Sequence, residues 1–416
     1  MRSNSSIKGI IYALIVVSLS LTLLQGYIHL FTRLWLIATV GVVMAFFIDR
    51  DFIKRKSFPA SMLYFLFVIL NFMTGDSYFG SVGNVVLEIS SLLLVCFMFY
   101  GLVKEKDEKN RGIVVYAFFL VILITTVGTF ISDSISPGIV RQAFGANVTG
   151  SDKEILTLFY RFGMSNYSLP HAIPVLIPGV VFGIKSRIHL KRFVRIILWI
   201  TLFCLVLLAY LSSSTAALLF TIFSLTISFS LKIGKERTNV RRVVLLMLVA
   251  SPFLLSKNIQ LGILDAADRV AGENIYFHRK ISYFQEAITS DNSDIMESRD
   301  YLYEMSFESL IGNPILGTNL EIGGHSSILD RFATLGLLGM IPFVLFLIFQ
   351  FKTTIKKIDR TDTSFYVIGF LMGIMMCCLK SAWYWEMHFA MFVFLPVSII
   401  MFRKLAKAPN REGICQ

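Results

Sequence analysis

Charge is scarce in this sequence of 416 residues. Only 16% of the residues are Asp, Glu, Lys or Arg, whereas 55% are hydrophobic and the mean hydropathy is +0.70. A soluble domain typically carries about 25% charged residues. The composition therefore excludes a disordered chain, argues against an ordinary soluble enzyme, and favours a protein whose apolar runs cross a membrane.

The sequence also lacks the patterns of several common sites. Its five cysteines are scattered without metal-site spacing, and an odd number fits no complete disulfide framework. It contains no phosphate-binding loop, zinc-type histidine pair, nucleophile elbow or paired-acid motif. We therefore expect no nucleotide, no tightly held metal and no other cofactor.

Twelve apolar segments predict an all-α polytopic membrane protein that forms a single integral domain over residues 1–416. They cover roughly residues 9–25, 30–48, 58–74, 82–103, 112–132, 170–184, 194–211, 214–231, 242–256, 331–350, 363–380 and 386–402. The sixth and ninth are short and contain proline, which membrane helices tolerate where neighbours satisfy the freed backbone groups.

The net charge of +12 is explained by topology. Most of the 39 Lys and Arg residues fall in the termini and in alternate short connections, such as 49–57, 185–195 and 351–362. Basic residues accumulate on the cytoplasmic side of membrane proteins. We therefore expect both termini in the cytoplasm of a cell with this protein in its plasma (inner) membrane, and no nucleic-acid partner.

Two long connections, 133–169 and 257–325, are expected on the opposite, extracytoplasmic side, where they are the favoured place for chemistry. A passive cap over the bundle is the alternative. In the second connection, Phe277, Ile281, Phe284 and Ile288 recur at helical spacing. A further helix is predicted from near Ser298 to Ile311, because Pro314 cannot continue a helix.

His325 is the candidate catalytic residue. It follows Gly323 and Gly324 and precedes Ser327-x-x-Asp330, which has the form of a capping box and predicts the start of a helix. The positive end of the helix dipole disfavours the imidazolium, and a neutral ring can accept a proton from a hydroxyl. A histidine that merely packs at a helix start is an equally weighted alternative.

Arg141, Arg161 and Arg299 are candidate ligands for a diphosphate, because they lie on the side where cations are otherwise sparse. The planar guanidinium matches phosphate oxygens. Ion pairing with neighbouring acids is the alternative for each of them.

Other candidates are weaker. His171 rivals His325 but lacks the adjoining glycines, and Lys380 and Glu386 flank tryptophans that are expected as interfacial anchors. Glu88 lies close to a span end, where its side chain can reach the membrane surface; as an ionisable residue within a span it is otherwise a candidate functional group.

Several motifs in the final third of the chain form a recognisable order. An arginine-led helix beginning at Arg299 is followed by Asn313-Pro314-x-x-Gly317, then by His325 with a small polar residue and a hydrophobic pair, and then by Gly336-x-x-Gly339. This order resembles the superfamily of O-antigen polymerases and O-antigen ligases, and the twelve-span plan agrees.

A second, weaker match is Arg161-Phe162-Gly163 followed by Tyr167-Ser168-Leu169-Pro170. Two departures from the superfamily pattern are visible. The segment Ser212-Ser213-Ser214-Thr215 lacks the arginine that the corresponding motif often contains, and Ser326 stands where asparagine is usual, which resembles a variant seen among polymerases.

The resemblance implies a metal-independent, inverting membrane glycosyltransferase with a fold like that of the GT-C class. The implied donor is an undecaprenyl-diphosphate-linked oligosaccharide, and the acceptor is a second lipid-linked repeat unit of an O-antigen or capsule. Arg299, Arg161 and Arg141 would hold the diphosphate, and His325 would position or deprotonate the acceptor hydroxyl. Membrane lipid and a chain-length regulator are the implied partners.

Two alternatives stay open. An O-antigen ligase would transfer the glycan to lipid A core, and no feature of the sequence separates it from a polymerase. A lipid-linked oligosaccharide flippase belongs to a different class. Transporters tend to show internal repeats and binding sites at the membrane midplane, and this chain shows no evident symmetry between its halves.

Overall fold

A computed structural model describes most of the chain as helices. Residues outside the description are 1–2, 22, 25–26, 28–53, 75–81, 105–107, 137–138, 143–150, 167, 187–191, 213, 234–255, 272–277, 279–280, 283–284, 286–288, 290–292, 319–321, 323 and 408–416. Within the described residues there is no strand, which agrees with the all-α prediction.

The helices are numbered in chain order. They are α1 (Ser3–Ser20), α2 (Ser57–Met73), α3 (Val82–Phe99), α4 (Glu108–Ile135), α5 (Ile139–Gln142), α6 (Ser151–Arg161), α7 (Ser168–Lys185), α8 (Arg192–Leu211), α9 (Thr215–Ser230), α10 (Lys257–Ala271), α11 (Ser293–Gly312), α12 (Ser327–Ile355), α13 (Thr363–Leu379), α14 (Trp385–Phe389) and α15 (Leu395–Lys407). Two π-helical turns, Tyr100–Lys104 and Ala390–Phe394, extend α3 and join α14 to α15.

The apolar helices coincide with most of the predicted spans. Within the described residues, five helices are long and apolar enough to cross a membrane: Lys109–Ile135, Ser168–Lys185, Arg192–Leu211, Ser327–Ile355 and Trp385–Ala406. Five shorter apolar helices lie at the other described spans. The predicted spans 30–48 and 242–256 lie outside the described residues, so the number of twelve crossings stays a prediction.

Helix α7 is the centre of the bundle. Every residue from Ser168 to Ile184 is buried, and the helix packs against α8, α9, α13 and α15. Pro178 has no N–H to donate to the carbonyl of Pro174 one turn earlier. The Ser224 hydroxyl of α9 donates to that carbonyl instead, at 2.7 Å, so a neighbouring helix satisfies the group that proline frees.

Helix α12 is broken at Gly336, where φ is +59° and ψ is −172°. This backbone conformation is essentially restricted to glycine. The break removes the helical bonds that would join Ala333 and Thr334 to Leu337 and Leu338, and two N–H groups and two carbonyls are thereby freed.

A loop from the preceding segment satisfies these groups. Leu337 N–H donates to Pro314 O at 2.9 Å, Leu338 N–H donates to Ile315 O at 3.1 Å, and Thr318 N–H donates to Ala333 O at 2.9 Å. The Asn71 side chain of α2 donates to the remaining carbonyl, that of Thr334, at 3.2 Å.

The two backbones meet at a pair of glycines, Gly317 (φ +74°) and Gly336. A methyl group on Gly317 would lie 2.3 Å from Thr334 O, and one on Gly336 would lie 2.3 Å from Ile315 O. The motif Asn313-Pro314-x-x-Gly317 and the later Gly336 therefore form one structural unit, since each glycine is needed for the other segment to approach.

The predicted connection 257–325 contains α10 and α11. Helix α11 ends at Gly312, directly before Asn313-Pro314, but it begins at Ser293, five residues before the predicted start. Of the predicted apolar stripe, Ile281 is the member that the structure describes, and it is buried against Leu264 of α10.

Candidate active site around His325

The carboxylate of Asp330 holds the backbone on both sides of His325. Its Oδ2 accepts hydrogen bonds from the N–H groups of Gly324 at 2.9 Å and Ser326 at 3.2 Å. Its Oδ1 accepts from the Ser306 hydroxyl of α11 at 2.8 Å. A carboxylate with three donors is well satisfied although it is buried, so Asp330 fixes the His325 backbone and ties it to α11.

The start of α12 differs by one residue from the capping box expected at Ser327. Ser326 is the N-cap, and its side chain accepts from Leu329 N–H at 3.1 Å. The Ser327 hydroxyl instead donates to Lys380 O at 3.2 Å and accepts from Trp383 N–H at 2.9 Å. Ser327 therefore joins α12 to the connection between α13 and α14, and His325 precedes the first helical turn as predicted.

The imidazole of His325 is half-buried and lies edge-on to the ring of Tyr303, with 6.4 Å between ring centroids. The Tyr303 hydroxyl donates to Leu379 O at 2.8 Å. Helix α11 thus provides both the aromatic neighbour of His325 and, through Ser306, a bond to Asp330. Gly324 has φ +93°, a left-handed conformation that suits glycine at this turn.

The three candidate arginines are described to different extents. Arg161 is the last residue of α6, and its exposed guanidinium lies over the ring of Tyr27, 5.6 Å from the centroid. Arg141 lies in α5 and Arg299 in α11, and both side chains are outside the described residues. Position 299 is one helical turn before Tyr303 and therefore on the same face of α11.

A buried ionic cluster, whose pairing the sequence does not predict, begins one residue after Asp330, which holds the His325 turn. Arg331 donates from Nη2 to Glu88 Oε2 at 2.9 Å and from Nε to the Tyr64 hydroxyl at 3.2 Å. Tyr64 in turn donates to Glu88 Oε1 at 2.8 Å. All three residues are buried, so the expectation that Glu88 reaches the membrane surface is wrong. Its carboxylate is held inside the bundle because Arg331 neutralises it.

A second polar cluster surrounds Glu386 at the start of α14. Asn166 Nδ2 donates to Glu386 Oε1 at 2.6 Å, and the Ser168 hydroxyl donates to Oε2 at 2.5 Å. The glutamate therefore connects α14 to the start of α7. Next to it, the buried His388 lies 3.2 Å from the Ser91 hydroxyl, and its ring centroid is 4.3 Å from that of Trp383.

His171, the rival candidate, lies in α7. Its Nε2 lies 3.3 Å from the hydroxyl of Ser214, which is the N-cap of α9. His171 is buried, and Ser214 belongs to the small-polar segment that lacks the expected arginine. This pair joins α7 to α9.

Glu88 is a candidate from the sequence, and Arg331 could have been found by the same signal, because ionisable residues within apolar spans are functional or paired by default. Arg331 directly follows Asp330 at the start of a predicted span, and Glu88 lies in another. Their pairing had no sequence signal, since Arg331 in α12 is more than 240 residues from Glu88 in α3 and from Tyr64 in α2.

Comparison of the chain with protein-family models and with curated proteins finds no match. The motifs quoted above and the geometry around His325 are therefore what a functional assignment can rest on.

Proposed function

We propose that the protein is a membrane glycosyltransferase of the O-antigen polymerase type. One observation carries the proposal. Each of the two groups of motif residues that resemble the superfamily, 161–170 and 299–339, has a described residue bonded to the same short segment, Lys380–Glu386. Ser327 bonds to Lys380 and Trp383, and Ser168 bonds to Glu386.

His325 is the proposed proton acceptor. The acceptor hydroxyl oxygen forms the new bond to the anomeric carbon of the donor, and its proton passes to the imidazole of His325. The bond from that carbon to the phosphate oxygen breaks, and the diphosphate leaves on its lipid. Attack from the face opposite the diphosphate inverts the anomeric centre.

Arg299, Arg161 and Arg141 are proposed to hold the diphosphate and to stabilise the negative charge that grows on it as it leaves. Position 299 lies one helical turn before Tyr303, whose ring neighbours that of His325, and this spacing supports the role for Arg299. The cleaved bond between the sugar and the lipid-linked diphosphate supplies the free energy of transfer, so the reaction needs no nucleotide.

The decisive experiment is a strain that lacks the gene, analysed on a polysaccharide gel. Loss of the ladder with one repeat unit still attached supports a polymerase. Loss of all attached saccharide, with lipid-linked polymer accumulating, identifies a ligase. Accumulation of an unflipped intermediate inside the cell identifies a flippase.

The site itself is tested by complementing that strain with His325→Ala and Arg299→Ala. Both variants should abolish long-chain product while the protein still accumulates in the membrane. The matched control is His278→Ala, which removes an exposed histidine of the same connection that bonds to Asp268 at 2.7 Å. Normal chain lengths with His325→Ala would remove His325 from the site.

Arg161→Ala should weaken product formation to a similar or smaller extent than Arg299→Ala. Arg161→Lys should not restore it fully, because lysine lacks the planar fork that binds two phosphate oxygens at once. Full restoration by lysine would show that only the charge at this position matters.

A further inference from the structure

Four apolar side chains at the end of α11 and in the loop after it are strongly exposed. They are Phe307 (56%), Ile311 (63%), Ile315 (59%) and Leu316 (73%), and they are called the 307–316 wedge below. The sequence places this segment in an extracytoplasmic connection, where four large exposed apolar side chains in ten residues would be costly.

The wedge is continuous with surfaces that belong to membrane-spanning helices. The loop that carries Ile315 and Leu316 is hydrogen-bonded to Leu337 and Leu338 at the break in α12. Those two leucines and Ile341 are themselves exposed apolar residues of an apolar span. On the other side, Asn71 of α2 donates to Thr318 O at 3.4 Å, and the next exposed apolar residue of α2 is Met73.

The length of α12 indicates how deep in the membrane its break at Gly336 lies. About 20 residues of helix cross the hydrocarbon core of roughly 30 Å. Counted back from Lys352, which lies in the last turn of α12, that length reaches the stretch just before Gly336. The loop bonded to Ala333, Leu337 and Leu338 around this break therefore lies at the edge of the hydrocarbon, at the end of the bundle that carries His325.

Polarity within the loop agrees with this depth. The carbonyls of Pro314 and Ile315 and the N–H of Thr318 point inward and satisfy the broken helix, whereas the side chains of Ile315 and Leu316 point outward. Irregular backbone at membrane depth is tolerated only when protein covers its polar groups. The loop therefore presents apolar side chains outward while its bonded backbone groups face the protein, which is the arrangement that contact with lipid requires.

We propose that the 307–316 wedge lies in the lipid leaflet at the His325 end, so that the end of α11 and the following loop are a re-entrant part of the membrane domain. The occupant of this apolar face is phospholipid hydrocarbon. Phe307 and Ile311 lie one turn apart on α11, and Glu304 and Glu308 form the adjacent stripe, so the helix end sits at the interface with its acids toward water.

Spin labels test the proposal in the purified full chain reconstituted into phosphatidylcholine and phosphatidylglycerol vesicles. Single cysteines are introduced as Ile311→Cys and Leu316→Cys in a chain whose five native cysteines are replaced by alanine. Leu345→Cys, on the exposed side of α12, is the lipid control, and Glu304→Cys is the water control.

Labels at 311 and 316 should collide with oxygen in preference to a water-soluble nickel complex, with a ratio several-fold above that at 304 and close to that at 345. Ratios like that at 304 would place the wedge in water. Low collision rates with both reagents would show that protein, such as a second copy, covers it. Either of these results overturns the proposal.

A second measurement covers the case in which the cysteine-free chain does not accumulate. Leu316→Trp in the otherwise native chain should add tryptophan emission that is quenched by lipids brominated near the headgroup end of their chains. An added emission that these lipids leave unquenched also overturns the proposal. Neither measurement depends on activity, so the outcome is separate from that of the proposed function.

Discussion

Arg331 and Glu88 form an ion pair inside the helix bundle, with 2.9 Å between Nη2 and Oε2 and less than a tenth of either side chain exposed. The pair joins α12 to α3, and the Tyr64 hydroxyl bonds to both partners and adds α2. Arg331 directly follows Asp330, so the three helices are fixed to each other one residue away from the carboxylate that holds the His325 turn.

Removal of one partner of this pair should destabilise the protein strongly. Glu88→Gln leaves the Arg331 charge buried without compensation, at a cost of about 3–5 kcal/mol. The double variant Glu88→Leu/Arg331→Met should be less destabilised than Glu88→Gln, because no charge remains to be desolvated. The measurement is the thermal unfolding of the purified protein in detergent.

The control is Asp359→Asn, which breaks the partly exposed pair between Asp359 and Arg403 (3.2 Å) and should change stability by at most about 1 kcal/mol. If the double variant were no more stable than Glu88→Gln, the pair would contribute through packing and not through charge.

Asp330 is a positioning residue for His325. In Asp330→Asn, the amide cannot accept from both backbone N–H groups and from Ser306 as the carboxylate does, so the turn loosens. One lost hydrogen bond to a charged group corresponds to about 1.5–3 kcal/mol, or roughly a tenfold to hundredfold loss of the rate of the proposed reaction. Under the proposed function, we expect kcat to fall while the KM for the proposed lipid-linked donor stays near its original value.

Ser306→Ala is the matched comparison, since it removes a single bond to Asp330 and leaves both backbone bonds. Its effect on kcat should be smaller than that of Asp330→Asn. Equal effects would mean that kcat depends on the bond between Asp330 and α11 and not on the backbone bonds of the His325 turn.

Gly336→Ala and Gly317→Ala should each prevent stable accumulation in the membrane. Both positions have positive φ, and an added methyl group would meet a carbonyl oxygen of the opposite segment at 2.3 Å. Neither backbone can withdraw without exposing the hydrogen bonds that close the break in α12. The amount of folded protein after detergent extraction measures the effect.

Gly262→Ala provides the contrast. Gly262 lies within α10 with nothing within 4 Å of an added methyl group, so alanine should be neutral or should stabilise the helix by up to about 1 kcal/mol. Normal accumulation of Gly336→Ala would show that the two segments do not approach as closely as described.

Reporter fusions test the predicted topology. A reporter near residue 237 should be active in the cytoplasm, because this connection is rich in lysine and arginine. A reporter near residue 290 should be extracytoplasmic. If both reporters were found on the same side of the membrane, the charge-based orientation would be wrong, and so would the expected location of His325.

The apolar runs predicted the described helices well, because the hydrocarbon thickness sets the number of consecutive apolar residues that a span needs and such runs are visible in the sequence. The start of α12 was predicted to within one residue, since Ser326 and Ser327 are equally good N-caps by residue type. Ser326 takes the role because Ser327 is engaged by Lys380 and Trp383, and that tertiary contact has no trace in the local sequence.

The candidate site was predicted only in part. His325, Gly324 and Asp330 could be recognised because they lie within seven residues of one another in the sequence. Tyr303, Ser306 and the Glu88–Arg331 pair could not, because their partners are distant in sequence and single residues do not reveal their pairing. Gly317 and Gly336 were identified as motif residues. Their role at the break in α12 is visible only once each freed backbone N–H and C=O group is assigned a hydrogen-bond partner.

The hydroxyl that α9 supplies to Pro174 bears on the order in which the chain enters the bilayer. When α7 leaves the translocon it carries a carbonyl that proline has left without its partner, and the donor, Ser224, is synthesised two helices later. Lateral release of α7 alone would place that carbonyl in hydrocarbon. The central helix is therefore expected to wait at the translocon and to partition into lipid together with α8 and α9, as one assembled unit.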